Sequence, residues 1–355
     1  MTLNTDGLTM LHLGLGSFHR AHQAIYLQNL IDSGETHWSL AGGNLRPDMA
    51  ETIAALQQQD GQYTLETVTP AGERRYQRIS SIRRVISYEP SLAGLITLGA
   101  AADTRIISFT VTEAGYYLDA KNRLDLNFAD LASDVEWARR AEPGQTIYGA
   151  LVAILRARMA ADGGKVTLLN CDNLRHNGER FRSGLLQFIE LLGDRNLLAW
   201  VEANTTSPNA MVDRITPRPA PEVRARVKAA TGIDDGAALM AESFIQWVIE
   251  ENFCNGRPAW EKVGVQMVES VAPFEEAKIR ILNASHSCIA WAGTLVGYQF
   301  IHEGTHDVVI RQFAHDYVTD DVIPCLTPSP IDLADYRGVV LARFGNPAIC
   351  DTNQR

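Results

Sequence analysis

Four polar side chains, Lys278, Arg280, Asn283 and His286, interrupt the apolar stretch that follows Pro273, and the spacing of three of them places these on one side of a helix. At 100° per residue, Lys278, His286 and Asn283 fall at about 0°, 80° and 140°. A cleft facing this side would contain an amine, an imidazole and a carboxamide, groups that exchange protons and donate hydrogen bonds. Burying each without a partner costs about 1–3 kcal/mol, so the three together require partners or a chemical task.

Two of these side chains also have an interpretation without chemistry. Lys278 can extend its amine to solvent along an apolar surface, and His286 can be a hydrogen-bonded core histidine. The helix itself is indicated by Pro273 and by the two glutamates after Phe274, which are typical of a helix N-terminus. We expect this long helix to begin near Phe274.

Polar residues also follow three other segments. The Asn-Cys-Asp-Asn run at 170–173 ends a strand that looks buried, which is where open α/β sheets bind ligands. Thr112 and Glu113 end another such strand, and a simple turn explains them equally well. Asp213 and Arg214 lie between turn residues, where a capped turn with a local ion pair is an equal alternative.

A glycine-rich turn lies between the first apolar run and the first helical pattern. In a dinucleotide-binding fold, a pyrophosphate would rest here on free backbone N–H groups. His19 occupies the place of the third glycine in G-x-G-x-x-G, so the helix is expected to sit farther from the strand or to begin later. A purely structural turn is the alternative. The residues expected to contact a cofactor here are Gly14, Gly16, Ser17, Phe18, His19 and Arg20.

The end of the second apolar run bears on the choice of cofactor. An acidic residue at this point usually binds the ribose of NAD, whereas an arginine accommodates the 2′-phosphate of NADP. The run continues into Asn44 and Arg46, with no carboxylate directly at the strand end. Arg46 is either a phosphate ligand or a solvated arginine, so these residues leave NAD and NADP open.

Strand and helix patterns alternate in the first half of the chain and predict a Rossmann-like, doubly wound α/β sheet. Strand patterns occur at 9–15, 38–43, 105–112 and 165–173, separated by helical patterns such as 21–34 and 146–162. Beyond about 180 the strand patterns fade, and segments including 238–253 look helical. The prediction is a dinucleotide-binding domain over 1–270 followed by a mainly α-helical substrate domain over 271–355.

Composition excludes some classes of partner. The 355 residues carry a formal net charge of −10, which disfavours nucleic acid and anionic membranes. Five scattered cysteines and the lack of an export signal predict a cytoplasmic protein with free thiols. The uncharged stretch 281–302 is long enough to span a bilayer, but its polar residues favour a core helix.

A zinc site is a further alternative. The run from His302 to His306 matches H-E-x-x-H, which binds zinc only when both histidines lie on one continuous helix. Gly304 in its middle looks like a helix stop, so we expect no metal.

Taken together, these segments resemble the mannitol dehydrogenase family of polyol-specific long-chain dehydrogenases. The similarity extends over nearly the whole chain in the same order. It is carried by GLGSFHRAHQ (14–23), TEAGYY (112–117), NCDNLRHNGER (170–180), PNAMVDRITP (208–217) and the K-x4-N-x2-H of Lys278, Asn283 and His286.

The resemblance implies zinc-independent oxidation of a polyol to a ketose with NAD, D-arabinitol to D-xylulose first among the candidates. Lys278 would be the general base, which requires its pKa to be lowered by burial or a nearby positive charge. Asn283 and Asn173 would donate hydrogen bonds to the developing oxyanion, and His286 would bind a neighbouring hydroxyl. Glu275 would relay the proton, and Asp213 would lie near the base or the polyol.

The resemblance also implies about a hundred further residues, and it makes Arg355 a substrate-binding arginine. The helical domain is therefore expected to be incomplete. Alternatives that use the same machinery are a hexuronate reductase and a phosphorylated-polyol dehydrogenase. A dinucleotide sensor without catalysis, built on the same fold, is a further alternative. The chain is expected to be a monomer or a small homo-oligomer.

Overall fold

The computed structural model describes residues 7–354. In chain order the strands are β1 (Leu8–Leu13), β2 (Trp38–Gly43), β3 (Tyr63–Val68), β4 (Arg74–Ile79), β5 (Ile82–Ile86), β6 (Thr104–Phe109), β7 (Val166–Asn170), β8 (Thr205–Thr206), β9 (Ala210–Asp213), β10 (Leu239–Glu242), β11 (Gln246–Glu250) and β12 (Gln266–Val268).

The α-helices are α1 (Ser17–Ala21), α2 (Gln23–Asp32), α3 (Ala50–Gln58), α4 (Ala93–Ala100), α5 (Ala129–Arg139), α6 (Ile147–Ala160), α7 (Asn177–Leu192), α8 (Arg195–Asn204), α9 (Pro221–Thr231), α10 (Ala272–Ala277), α11 (Ala284–Val296), α12 (Ile301–His306), α13 (Val308–Asp316), α14 (Ile323–Leu326) and α15 (Leu333–Phe344). Lys278–Asn283 and Tyr317–Val322 are π-helical, and Glu113–Tyr116, Trp260–Val263 and Pro347–Ile349 are 3₁₀ turns.

The chain forms two compact units. Of the described residues, the first unit contains 7–63, 78–212 and 247–269, and the second contains 64–77, 213–246 and 270–354. Residues 64–77 and 213–246 thus group with the C-terminal segment, whereas the sequence suggested a single division at 270. The units are defined by contacts between segments and do not test a domain boundary. The division at 270 therefore stays a prediction.

A six-stranded parallel sheet forms the centre of the first unit, in the order β5-β2-β1-β6-β7-β8. The near-continuous apolar runs of β1 and β7 suit a parallel sheet that is covered on both faces. In register, Leu13 lies opposite Gly43 and Phe109, and Phe109 lies opposite Asn170. The segments that follow these strands therefore begin at one edge of the sheet, where such folds bind ligands. The predicted Rossmann-like sheet is confirmed.

The second unit combines helices with the three-stranded sheet β10-β3-β4. Its helical core contains Ile281, Ile289, Ile310, Val340 and Phe344, all buried. The uncharged stretch 281–302 is not one helix, because α11 ends at Val296 and the next residue, Gly297, has a left-handed φ of 93°. In the described part of the chain, no helix is long and apolar enough to cross a membrane.

The helix predicted over 238–253 is wrong, as is the expectation that strands fade after 180. Residues 239–242 and 246–250 form β10 and β11. The second run contains Trp247, Val248 and Ile249, which favour strands and are fully buried here. Strands this short leave little periodicity for a sequence pattern to detect.

Candidate active site

The glycine turn follows β1 and is open on its outer side. Gly14 has a φ of 113°, and a Cβ atom at Gly14 or Gly16 would meet no atom within 4 Å. The Gly14 amide donates to the Gly43 carbonyl at 2.9 Å, and the Leu15 amide donates to Asn44 Oδ1 at 2.9 Å. Asn44 therefore fixes the turn as well as facing the cavity beside it.

His19, which replaces the third glycine of the turn motif, packs between helix α1 and strand β1. Helix α1 begins at Ser17, so the expectation of a late start of the helix is wrong. The buried His19 ring stacks on His12 of β1, with ring centroids 3.6 Å apart. Burial lowers the pKa of His19 to about 3, so this stack is uncharged at neutral pH. Two flat neutral rings thus fill the space between strand and helix.

A cavity of about 680 Å³ opens at the carboxyl ends of β1, β2 and β6. It is lined by most of the residues predicted to hold a cofactor: Gly14, Gly16, Ser17, Phe18, His19, Asn44, Arg46 and Thr112. Arg20 is placed differently, since its buried guanidinium donates to the Leu15 carbonyl at 3.3 Å. Glu113 lines a neighbouring cavity instead.

An ion pair that the sequence did not reveal borders the large cavity. Arg46 donates to Asp130 at 3.3 Å, and the Tyr117 hydroxyl donates to the same carboxylate at 2.6 Å. Partial burial and the Asp130 hydrogen bond raise the pKa of Tyr117 to about 12. Asp130 lies 84 positions from Arg46, on the otherwise ordinary helix α5, so no local pattern marks it.

The neighbouring cavity, of about 310 Å³, contains Asn173 and shares Phe18 and Thr112 with the first. One of its lining residues, Asp172, belongs to a buried hydrogen-bond network at the end of β7. Asn170 Nδ2 donates to the Tyr116 hydroxyl at 2.7 Å, and this hydroxyl donates to Asp172 at 2.7 Å. Burial raises the pKa of Asp172 and, together with the Asp172 charge, that of Tyr116. The network fixes the loop that presents Asn173.

Lys278 lies in the second unit with only 8% of its surface exposed. The alternative of a lysine that reaches solvent is therefore wrong. Burial lowers the pKa of Lys278; the Asp213 carboxylate opposes this, Arg343 adds to the lowering, and Glu275 opposes it. The net direction favours the neutral amine that a general base requires.

The helix that carries Lys278 is not uniformly α-helical. Helix α10 begins at Ala272, close to the predicted Phe274, and continues through the π-helical segment 278–283 into α11. A π turn joins residues five apart and rotates less per residue than an α turn. Lys278 and the exposed Asn283, five positions apart, are therefore closer in direction than the predicted 140°.

Asp213 belongs to a buried ion cluster. Arg343 donates to its two oxygens at 2.7 and 2.9 Å and to both oxygens of Glu242, and its guanidinium lies 4.0 Å from the Phe244 ring centroid. Arg214, the next residue, donates from two guanidinium nitrogens to the Glu242 carbonyl. Arg343 and Glu242 were not anticipated from the sequence, since they lie far from Asp213 along the chain.

His286 lies at the N-terminal end of α11 and is partly buried. Its Nε2 lies 2.8 Å from Asp351 Oδ2, and its ring contacts Phe344 edge-on. Glu275, the predicted proton relay, is buried one turn before Lys278. Arg355, the predicted substrate-binding arginine, lies outside the described residues.

Comparison with known families explains this combination of units. Residues 8–262 match the mannitol dehydrogenase Rossmann domain, and residues 270–355 match the mannitol dehydrogenase C-terminal domain. The chain belongs to the mannitol dehydrogenase family. It is thus an oxidoreductase of the polyol dehydrogenase class, as the sequence predicted.

Two curated relatives are D-arabinitol 4-dehydrogenases. The protein from Ralstonia nicotianae is 60% identical over 98% of this chain and 74% of its own length. The protein from Klebsiella pneumoniae is 57% identical over 98% of this chain and 75% of its own length. Mannitol 2-dehydrogenase of Pseudomonas fluorescens, solved with NAD and D-mannitol, is 38% identical with a TM-score of 0.89, covering 99% of this chain and 72% of that one.

The H-E-x-x-H run has a structural role in this member of the family. Helix α12 includes Gly304, so the expectation that this glycine stops the helix is wrong. The Glu303 carboxylate accepts from the amides of Gln299 and Phe300 at 2.9 and 2.8 Å and thereby caps the helix. Across residues 7–354, no group of three or more acidic, histidine or cysteine side chains is arranged to hold a metal.

Proposed function

We propose that this protein oxidises a polyol to a ketose with NAD as the hydride acceptor, and that D-arabinitol, giving D-xylulose, is its substrate. The observation that carries the proposal is the buried Lys278 amine with a lowered pKa. The choice of substrate is supported by the 60% and 57% identity to proteins named D-arabinitol 4-dehydrogenase.

In the proposed mechanism, the neutral Lys278 amine removes the proton of the reacting hydroxyl. The carboxamides of Asn283 and Asn173 donate hydrogen bonds to that oxygen as negative charge develops on it. Glu275, one turn before Lys278, passes the proton towards solvent. Asp213, fixed by Arg343, is assigned to the surroundings of the base, and Arg355 and His286 to the substrate hydroxyls.

The large cavity fits a dinucleotide. Its glycine turn leaves open space where a side chain would block a phosphate, and Ser17 and Asn44 add polar groups. NAD, when bound, accepts the hydride that leaves the substrate carbon. We favour NAD over NADP because the Arg46 guanidinium already pairs with Asp130, which a 2′-phosphate would have to displace.

The test is a spectrophotometric comparison of D-arabinitol, D-mannitol, D-sorbitol and xylitol, each with NAD and with NADP. We expect NADH formation with the highest kcat/KM for D-arabinitol, and weaker turnover with NADP. A flat trace with all four polyols would remove the polyol assignment. Turnover restricted to a uronic acid or a phosphorylated polyol would instead support one of the related dehydrogenases.

We also infer that the enzyme acts in the cytoplasm. All five cysteines are free thiols, and Cys325 and Cys350 are exposed, as suits a reducing compartment. Cell fractionation with a marker for each compartment would test this inference.

A further inference from the structure

The contact between His286 and Asp351 is not a step of the proposed mechanism. The Nε2 atom of His286 lies 2.8 Å from Asp351 Oδ2, and 21% and 12% of the two side chains are exposed. The His286 ring also packs edge-on against Phe344, with centroids 5.4 Å apart. Asp351 at Nε2 and Phe344 against the ring thus fix the orientation of the imidazole. Among residues 7–354, no side chain or backbone group bonds to its Nδ1.

Asp351 is itself held by its own backbone and by its neighbours. Its carbonyl accepts from the Ile301 amide at 2.9 Å, and Thr352 bridges to Phe300. The next residue, Asn353, donates from its backbone amide to the Gln299 carbonyl at 2.9 Å. The segment is therefore tied to the turn between α11 and α12, and its carboxylate is directed at a residue on α11.

We propose that Asp351 is a positioning residue that selects the tautomer of His286. An ionised carboxylate only accepts hydrogen bonds, so of the two neutral tautomers of His286 it favours the one that carries its proton on Nε2. The other nitrogen, Nδ1, then presents a lone pair and accepts a hydrogen bond from a hydroxyl group. This inference rests on the proposed function, because it takes His286 to be a ligand of the polyol.

With its proton on Nε2, His286 distinguishes a hydroxyl group from other oxygens of the substrate. An Nδ1 acceptor binds a hydroxyl that donates, and it does not bind a carbonyl or an ether oxygen, which have no proton to give. We therefore assign His286 to a hydroxyl that stays unoxidised, next to the carbon that reacts.

The experiment measures the tautomer directly in long-range ¹H–¹⁵N spectra of histidine-labelled protein without substrate. The His286 signals are assigned by comparison with His286→Gln. We expect a protonated Nε2 and an unprotonated Nδ1 in the wild-type protein. In Asp351→Asn the carboxamide can donate or accept, so both tautomers should appear and kcat/KM should fall roughly tenfold, mainly through KM. Asp316→Asn is the matched control, since the exposed Asp316 contacts His315 at 3.1 Å; it should leave His286 and turnover unchanged.

The outcomes separate the two proposals. An Nδ1-protonated wild-type ring, or an active Asp351→Asn variant with the wild-type tautomer and KM, overturns this inference alone. If Asp351→Asn does not fold, the wild-type spectrum still decides the tautomer. Wild-type protein that oxidises no polyol overturns the proposed function, and with it the substrate contact of Nδ1.

Discussion

Residues 170–177 and residues 272–296 each supply one carboxamide to the proposed site, but different forces fix their geometry. The first segment is a loop held by side chains: Asn170, Tyr116, Asp172 and Asn177 form a chain of buried hydrogen bonds. The second is a helix held by its backbone, and a π-helical turn sets the direction of Asn283 relative to Lys278. Substitutions in the loop should therefore lower both stability and activity, whereas substitutions in the helix can lower activity without lowering stability.

The largest effect is expected in the helix, from Lys278→Met. Removing a general base costs about 10²–10⁴ in rate, so kcat should fall about a thousandfold. Binding of NAD, followed by fluorescence titration, should be unchanged. Lys121→Met, at an exposed lysine, is the control and should retain full activity. A Lys278→Met enzyme with more than a tenth of the wild-type kcat would contradict the role of this amine.

In the loop, Asp172→Ala should lower stability and activity together. The change removes the acceptor of the buried Tyr116 hydroxyl and of the Leu174 amide, at a cost of about 3 kcal/mol in the free energy of unfolding. Asn283→Ala, at an exposed helix position, should change that free energy by less than about 0.5 kcal/mol while lowering kcat. Urea titrations of both variants measure the contrast, and equal destabilisation would refute it.

Tyr116→Phe is a milder test of the same loop. The ring keeps its buried place, but the hydroxyl no longer joins Asn170 to Asp172. We expect a loss of about 1 kcal/mol in stability and a modest rise in KM. Tyr298→Phe, which removes a hydroxyl bonded to Asp307 at the surface, is the matched control. A Tyr116→Phe loss no greater than that of the control would argue against the network.

The smallest expected effect is the pH dependence of stability that Lys278 causes, and its sign is the test. Because the pKa of Lys278 is lowered from 10.5 in the folded protein, the unfolded chain binds more protons between the two pKa values. Wild-type stability should therefore rise with pH through this window. The melting temperature of Lys278→Met should exceed that of the wild type most at neutral pH, and the gap should narrow towards pH 10. A gap that widens would show that the folded protein favours the ammonium form.

The sequence predicted those parts of the molecule that depend on local periodicity. The first strand, the glycine turn, the strands that begin at Trp38 and Thr104 and the helix after Pro273 all follow from apolar spacing and turn residues. Parallel strands bring their carboxyl ends to one edge of the sheet, so the sequence alone predicts that Gly14, Asn44, Thr112 and Asn173 lie near that edge.

Long-range partners and local winding were missed. Arg343 lies 130 positions from Asp213, and Asp351 lies 65 from His286, so no spacing rule connects them. A uniform 100° rotation could not represent the π turn after Lys278. The helix stop expected at Gly304 failed because the capping by Glu303 outweighs the weak helix propensity of one glycine.

The π turn also carries an evolutionary consequence. Such a turn is equivalent to an α-helix that has gained one residue, so losing a single codon between positions 278 and 283 would restore regular winding. The shortened helix would still bury its apolar face, yet its amine and carboxamide would be redirected. One small indel could thus convert this enzyme into a folded but inactive paralogue without altering any residue of the nucleotide cavity.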